Sequence, residues 1–177
     1  MKILVKYSRF ILIAALLSIN LLLYAKMVDV FTAKKIAINL YAERSGQEMK
    51  SSTISKIIEN KEKGETVFYV LEYHPKGFAI ISADDCVQPV LGYSFESSYD
   101  ENNIPPAFEY FVLTRFKKQI YAARKAGVIP ENETALDWQR LSTDPDSFSP
   151  KEVKSFVPLL TTAWGQGTFY NFHCPPD

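Results

Sequence analysis

The chain has 177 residues, 47% of them hydrophobic, with 20 Lys and Arg against 20 Asp and Glu. That length holds one ordinary domain with appendages, and 12 Phe and 10 Tyr supply large core side chains. No basic stripe argues for a nucleic-acid partner.

The first residues carry Lys2, Lys6 and Arg9 and no acid. Phe10 to Ala25 follows, apolar apart from Ser18, Asn20 and the Tyr24 hydroxyl. A bilayer span needs about 20 such residues. This run is shorter and closes on Leu23-Tyr24-Ala25, so we expect a signal peptide over residues 1–25, cleaved after Ala25. An uncleaved anchor is the competing reading. No Cys follows the run, so no lipid is expected there, and the expected product is secreted, periplasmic or extracellular, with no membrane contact once the signal is removed. Taking those three cations from the 20 leaves 17 basic against 20 acidic residues, a balance of −3.

Asp29 or Thr32 can cap the first helix. Ala33, Ile36, Ala37, Leu40 and Tyr41 then form one apolar face, and Gly46 is a natural stop. Residues 47–65 are polar, with Ile54, Ile57 and Ile58 as anchors, and fit a short helix or a loop. Lys63-Gly64-Glu65 turns the chain into Thr66 to Phe95. There Val67, Tyr69, Leu71 and Tyr73 alternate with Thr66, Phe68, Val70 and Glu72, a period of two. His74-Pro75-Lys76-Gly77 breaks the run. Phe78 to Ala83 and Val90 to Phe95 make two more. Short connections between such runs suit an antiparallel meander.

Ser97 to Asn103 is a polar loop. After Ile104-Pro105-Pro106, the residues Phe108, Phe111, Val112, Phe116, Ile120 and Ala123 draw a stripe along a long helix, with Arg124 and Lys125 at its C-terminus and Gly127 ending it. A short helix follows over Asn132 to Leu141, with Ala135, Trp138 and Leu141 three apart. Ser142 to Pro150 (STDPDSFSP) reads as an exposed linker, the kind of segment where proteolytic nicking concentrates. The predicted fold is α+β: an antiparallel sheet of three to four strands packed with two or three helices.

Chemistry-bearing residues are sparse. His74 and His173 have no metal-ligand spacing, and no cofactor motif is present. In an exported protein Cys86 and Cys174 could form a disulfide, but they are far apart in sequence and the favoured reading is two unpaired thiols. Asp84 and Asp85 are adjacent on a strand end, so their side chains diverge and do not share a proton. They read as turn formers, or as part of a loop offered to a partner.

The order of these parts resembles the precursor of the streptopain-type cysteine peptidases. The residues that carry the likeness are GFAIISADDCVQPVLGYS (77–94) and PLLTTAWGQGTFYNFHCP (158–175). The first is similar to the inhibitory propeptide, a domain related to stand-alone streptopain inhibitors. The second is similar to the start of the mature peptidase, with Trp164, Gln166, Tyr170 and Asn171 in its W/Y-x-Q-x-x-x-Y-N pattern. The resemblance implies an inhibitory propeptide-like domain over 26–145, then over 146–177 a linker and the truncated start of a peptidase domain. It places the family's nucleophilic Cys and partner His downstream of Asn171, so no catalytic residue is expected in this chain. Cys174 before Pro175-Pro176 is a poor helix-opening nucleophile. The implied function is to block the cleft of a streptopain-like peptidase domain, in cis or in trans. The alternative is the N-terminal fragment of a secreted cysteine endopeptidase precursor. The loops expected to enter the cleft are those at Asp84-Asp85 and at Asn102-Asn103.

Overall fold

The computed structural model describes residues 27–46 and 53–151. Ala25, the expected signal segment, Cys174, His173 and the tail expected to open a peptidase domain lie outside the described residues. The architecture is α+β, as the pattern predicts. Helix α1 (Val30–Ser45) is followed by β1 (Ile54–Glu62), β2 (Glu65–Tyr73), β3 (Phe78–Ser82) and β4 (Val90–Ser94). These form one antiparallel sheet in the order β1-β2-β3-β4. Then come a short helical turn (Pro106–Phe108), a π-helical stretch (Glu109–Leu113), α2 (Thr114–Ala126) and α3 (Asn132–Leu141).

Local chemistry sets the ends of α1. The Asp29 carboxylate accepts from the Thr32 amide at 2.8 Å, and Gly46, at φ 68°, closes the C-terminus by donating to Ala42 O. The expected face is buried: Ala33, Ile36, Ala37 and Leu40 pack on Tyr69, Leu71, Tyr73, Ala79 and Ile81. Trp138 and Leu141 of α3 join the same side. Tyr69 and Tyr73 carry hydroxyls into this core and donate to Val28 O and Ala37 O at 2.9 and 2.8 Å. On the other side of the sheet, Phe68, Val70 and Ile80 meet Tyr99, Leu113 and Ile120. β2 is therefore buried on both faces. Val67 sits at a register shift between Asn60 and Lys61, a bulge that turns it to the side of Phe68 rather than that of Tyr69.

Three expectations need correction. Residues 54–62 form a strand, not a helix or loop. β1 is an edge strand with exposed and half-buried side chains, so it shows no clean alternation. Its ladder to β2 fixes it, helped by the Lys63-Gly64 turn, whose φ values of 49° and 85° are those of a twisted two-residue hairpin.

The stripe through Phe111 and Val112 assumes an unbroken α-helix. The Thr114 amide instead bonds Glu109 O, five residues back. That wider turn inserts one residue, which rotates the following positions by about 100°. Leu113 becomes the buried contact and Phe111 faces outward. Similarly, Trp138 and Leu141 of α3 are buried while Ala135 is exposed.

Ser142–Lys151 is largely exposed, as expected, at Asp144, Asp146, Ser147, Ser149 and Pro150, but it is docked on the domain rather than free. A 3-10 turn (Pro145–Ser147) shapes it, and Phe148 packs on the α1 side of the core.

Gly77 follows the β2–β3 turn at φ 111°, and a Cβ there would lie 2.9 Å from Ser94 O and 3.1 Å from Phe95 Cα. We expect Gly77→Ala to cost about 1–3 kcal/mol in urea unfolding. An unchanged midpoint would mean that the β2–β3 turn and β4 shift freely.

Candidate functional site

The two loops singled out by the sequence lie at opposite ends of β3. The Asp84 loop leaves its C-terminus. The Asp100–Pro105 loop lies at its N-terminus, where the Tyr99 ring meets Phe78 with centroids 5.6 Å apart and Lys56 pairs with Glu101 at 2.6 Å. Five strand residues put roughly 13 Å between those ends. Asp84-Asp85 and Asn102-Asn103 are thus not brought together.

At the first end, Asp84 is 0% exposed. One carboxylate oxygen accepts from the Cys86 amide at 3.0 Å, the other from Arg124 Nε at 2.5 Å. Ser82 Oγ accepts from the Asp84 amide at 3.0 Å and donates to Asp84 O at 2.8 Å, closing the turn from within. The Arg124 guanidinium also donates to Thr66 O at 2.9 Å and to Glu65 at 3.2 Å. Lys125, then Arg124, hold the Glu65 carboxyl below its usual range. Asp84 is therefore an internal anchor with no side-chain surface to offer a partner. Asp85 beside it is half-buried. Burial, reinforced by the Asp84 carboxylate, pushes the Cys86 thiol up to about 12, so it is protonated and unreactive at neutral pH. Sequence assigned Arg124 to the helix dipole; its partner in the loop after β3 lies 40 residues away, and no local pattern reveals it.

The other end is open. Asp100 Oδ1 accepts from the Asn102 amide at 3.0 Å, and Asp100 O from the Asn103 amide at 3.2 Å, a tight turn built on a short acidic side chain. Both Asn side chains are exposed. Buried Tyr99 roots the loop in the core. A few residues on, Tyr110 and Phe111 are 68% and 63% exposed, with rings perpendicular and 5.1 Å apart. Exposed aromatics that follow a tight polar turn in the sequence suit contact with another protein. Sequence assigned Phe111 to the core because an α-helical period hides the π-helical insertion, and it did not single out Tyr110.

Among the described residues no group of three His, Cys, Asp or Glu is placed to hold a metal ion, and no helix is long and apolar enough to cross a membrane.

Residues 25–120 match the family described as Spi protease inhibitor. No curated protein and no solved structure matches the chain.

Two measurements test the sealed end. Arg124→Met should lose about 3–5 kcal/mol in chemical denaturation, since it strands a buried carboxylate. Lys125→Met, whose pair with Glu65 is exposed, should shift the midpoint far less. In the native protein, mass mapping after iodoacetamide at neutral pH should find Cys86 unmodified, and modified once denaturant is added. Rapid native labelling of Cys86 would contradict the sealed loop.

Proposed function

Because the chain belongs to the Spi protease inhibitor family, with more than half its length in the match, we propose that residues 26–145 block the active cleft of a streptopain-like cysteine peptidase, in cis as a propeptide or in trans. The family match carries this reading. It takes in α1, all four strands and the loop before α2, so the inhibitor-like region includes the whole sheet. A domain of this kind has a protease as partner and is not itself a peptidase. The streptopain identity is supported by the likeness of residues 77–94 and 158–175 to that precursor. Export is supported by the basic start and the apolar run, and the family match opens at Ala25, where the expected signal ends.

An inhibitor must occupy a cleft without offering extended backbone for cutting. A turn closed by Asp100 and rooted by Tyr99 meets that need, since its shape is set before binding and little ordering cost remains. We therefore assign cleft contact to Asn102 and Asn103, with Tyr110 and Phe111 as a further apolar contact. The Asp84-Asp85 end serves as support.

A second reading is favoured by PLLTTAWGQGTFYNFHCP: the chain is the N-terminal part of a secreted cysteine endopeptidase precursor. Sequencing the coding DNA past the codon for Asp177 decides it. A Cys opening a helix and a later His, in frame, support it; a stop codon leaves the inhibitor.

The purified protein should inhibit a streptopain-like peptidase at micromolar concentration. Asn102→Ala with Asn103→Ala, and separately Tyr110→Ser with Phe111→Ser, should each weaken inhibition about ten-fold or more at unchanged thermal stability. Asp85→Ala should not. Absence of inhibition at micromolar protein counts against the peptidase reading, and a loss with Asp85→Ala alone moves the contact to the other end.

A further inference from the structure

Helix α1 buries two polar residues, Asn39 and Glu43, at 1% and 7% exposure. They stand four residues apart, so they share a face about 6 Å long along the axis. Their hydrogen-bond partners lie on α3 and the segment that follows it. Asn39 Nδ2 donates to Leu141 O at 2.9 Å and Thr143 O at 2.8 Å, where the chain leaves α3. Glu43 accepts from the Arg140 guanidinium and, at 3.2 Å, from the Lys151 amide. One helix turn therefore holds both ends of the strap that runs from Ser142 to Lys151.

Between those ends the strap is held at further points. Lys35 pairs with Asp144 at 3.5 Å, and Lys151 Nζ with Asp137 at 3.0 Å. Phe148 packs on the core, with the Arg140 guanidinium 5.9 Å from its ring. Asp144 and Pro145 fold the middle into a 3-10 turn. Yet the sequence of the strap, with small polar residues and two prolines, is of the kind that proteases cut. A protease needs several residues of extended backbone in its cleft, and a loop pinned at both ends in a tight turn cannot supply them without lifting off.

We propose that Asn39 and Glu43 latch this strap against α1, so that the cut-prone segment is protected in the folded domain and opens to an endopeptidase only when the latch releases. The strap is then a gate for proteolysis, whichever peptidase the domain inhibits. The gate does not depend on the streptopain reading. When the latch is closed, the strap is part of the domain. When it is open, the strap is presented to an endopeptidase as a scissile segment.

Limited proteolysis of the full chain with a low concentration of subtilisin, with cut sites mapped by mass spectrometry, tests this. In the wild type, bonds within 142–151 should be cut more slowly than bonds in the exposed 127–131 loop between α2 and α3. Asn39→Ala should speed the strap cuts roughly ten-fold or more while leaving the loop cuts unchanged, since cutting follows the open population. Should Asn39→Ala speed every cut by unfolding the domain, Phe148→Ala decides, because it loosens the strap while keeping every residue of α1 and its two latch side chains. A wild-type strap cut as fast as the 127–131 loop, or an unchanged strap-to-loop ratio in the variant that remains folded, overturns the latch.

Discussion

A carboxylate with no solvent contact stands at the end of β3, and the domain is assembled around the need to satisfy it. Asp84 takes one bond from its own turn, through the Cys86 amide, and one from Arg124 on α2. The same guanidinium reaches Thr66 O on β2 and Glu65. On the other side, the Val28 amide bonds Ala83 O, so the entry to α1 meets the same strand end. A buried ion pair adds little net stability over an apolar pair of equal shape, but losing one partner is costly. Its physical effect here is positional. It fixes how far α2 slides along the sheet and seals one end of the meander.

Two cores follow from that arrangement. β2 and β3 are central strands, and their side chains are buried on both faces, against α1 and α3 on one side and α2 on the other. β1 and β4 are the edges and carry mostly half-buried or exposed residues. The aromatic cluster of Tyr41, Tyr73 and Phe95, with Tyr41 centroids 5.4 and 4.9 Å from the other two, closes the far end of the α1 core by edge-on contacts.

What the sequence makes legible is what is settled locally. Asp29, Gly46 and Gly127 act within one helix turn of their partners, and each marks a helix end as its residue type implies. The central strands are legible because burial on two faces writes itself as long apolar runs. β1 is not, because an edge strand borrows its conformation from its neighbour. The π-helical stretch is not, because Glu109 to Leu113 has no residue that forbids an α-helix, and the burial of Leu113 selects the wider turn. The strap is misread for a similar reason: Asn39 lies 102 residues before Leu141, and composition alone cannot indicate that a polar segment has a buried amide waiting for it. For the candidate site, Asn102 and Asn103 are exposed as a polar run suggests. Asp84 has the same polarity and the opposite fate.

That difference bears on how the domain can act on a peptidase. Turning Asp84 outward would break its pair with Arg124 and leave a cation half-desolvated, a cost that a modest interface does not offset. Recognition built on that side chain would have to unmake the fold that presents it. At the opposite end nothing need be broken. The Asn102 and Asn103 side chains already project from a closed turn, and Tyr110 and Phe111 already stand in water, so covering them gains about 25 cal/mol per Å² of apolar surface removed. The π-helical insertion that hides the aromatic pair from sequence reading is also what turns it outward, one residue out of step with the stripe that packs on the sheet. Sealing one end of the meander leaves the other free to be an interface.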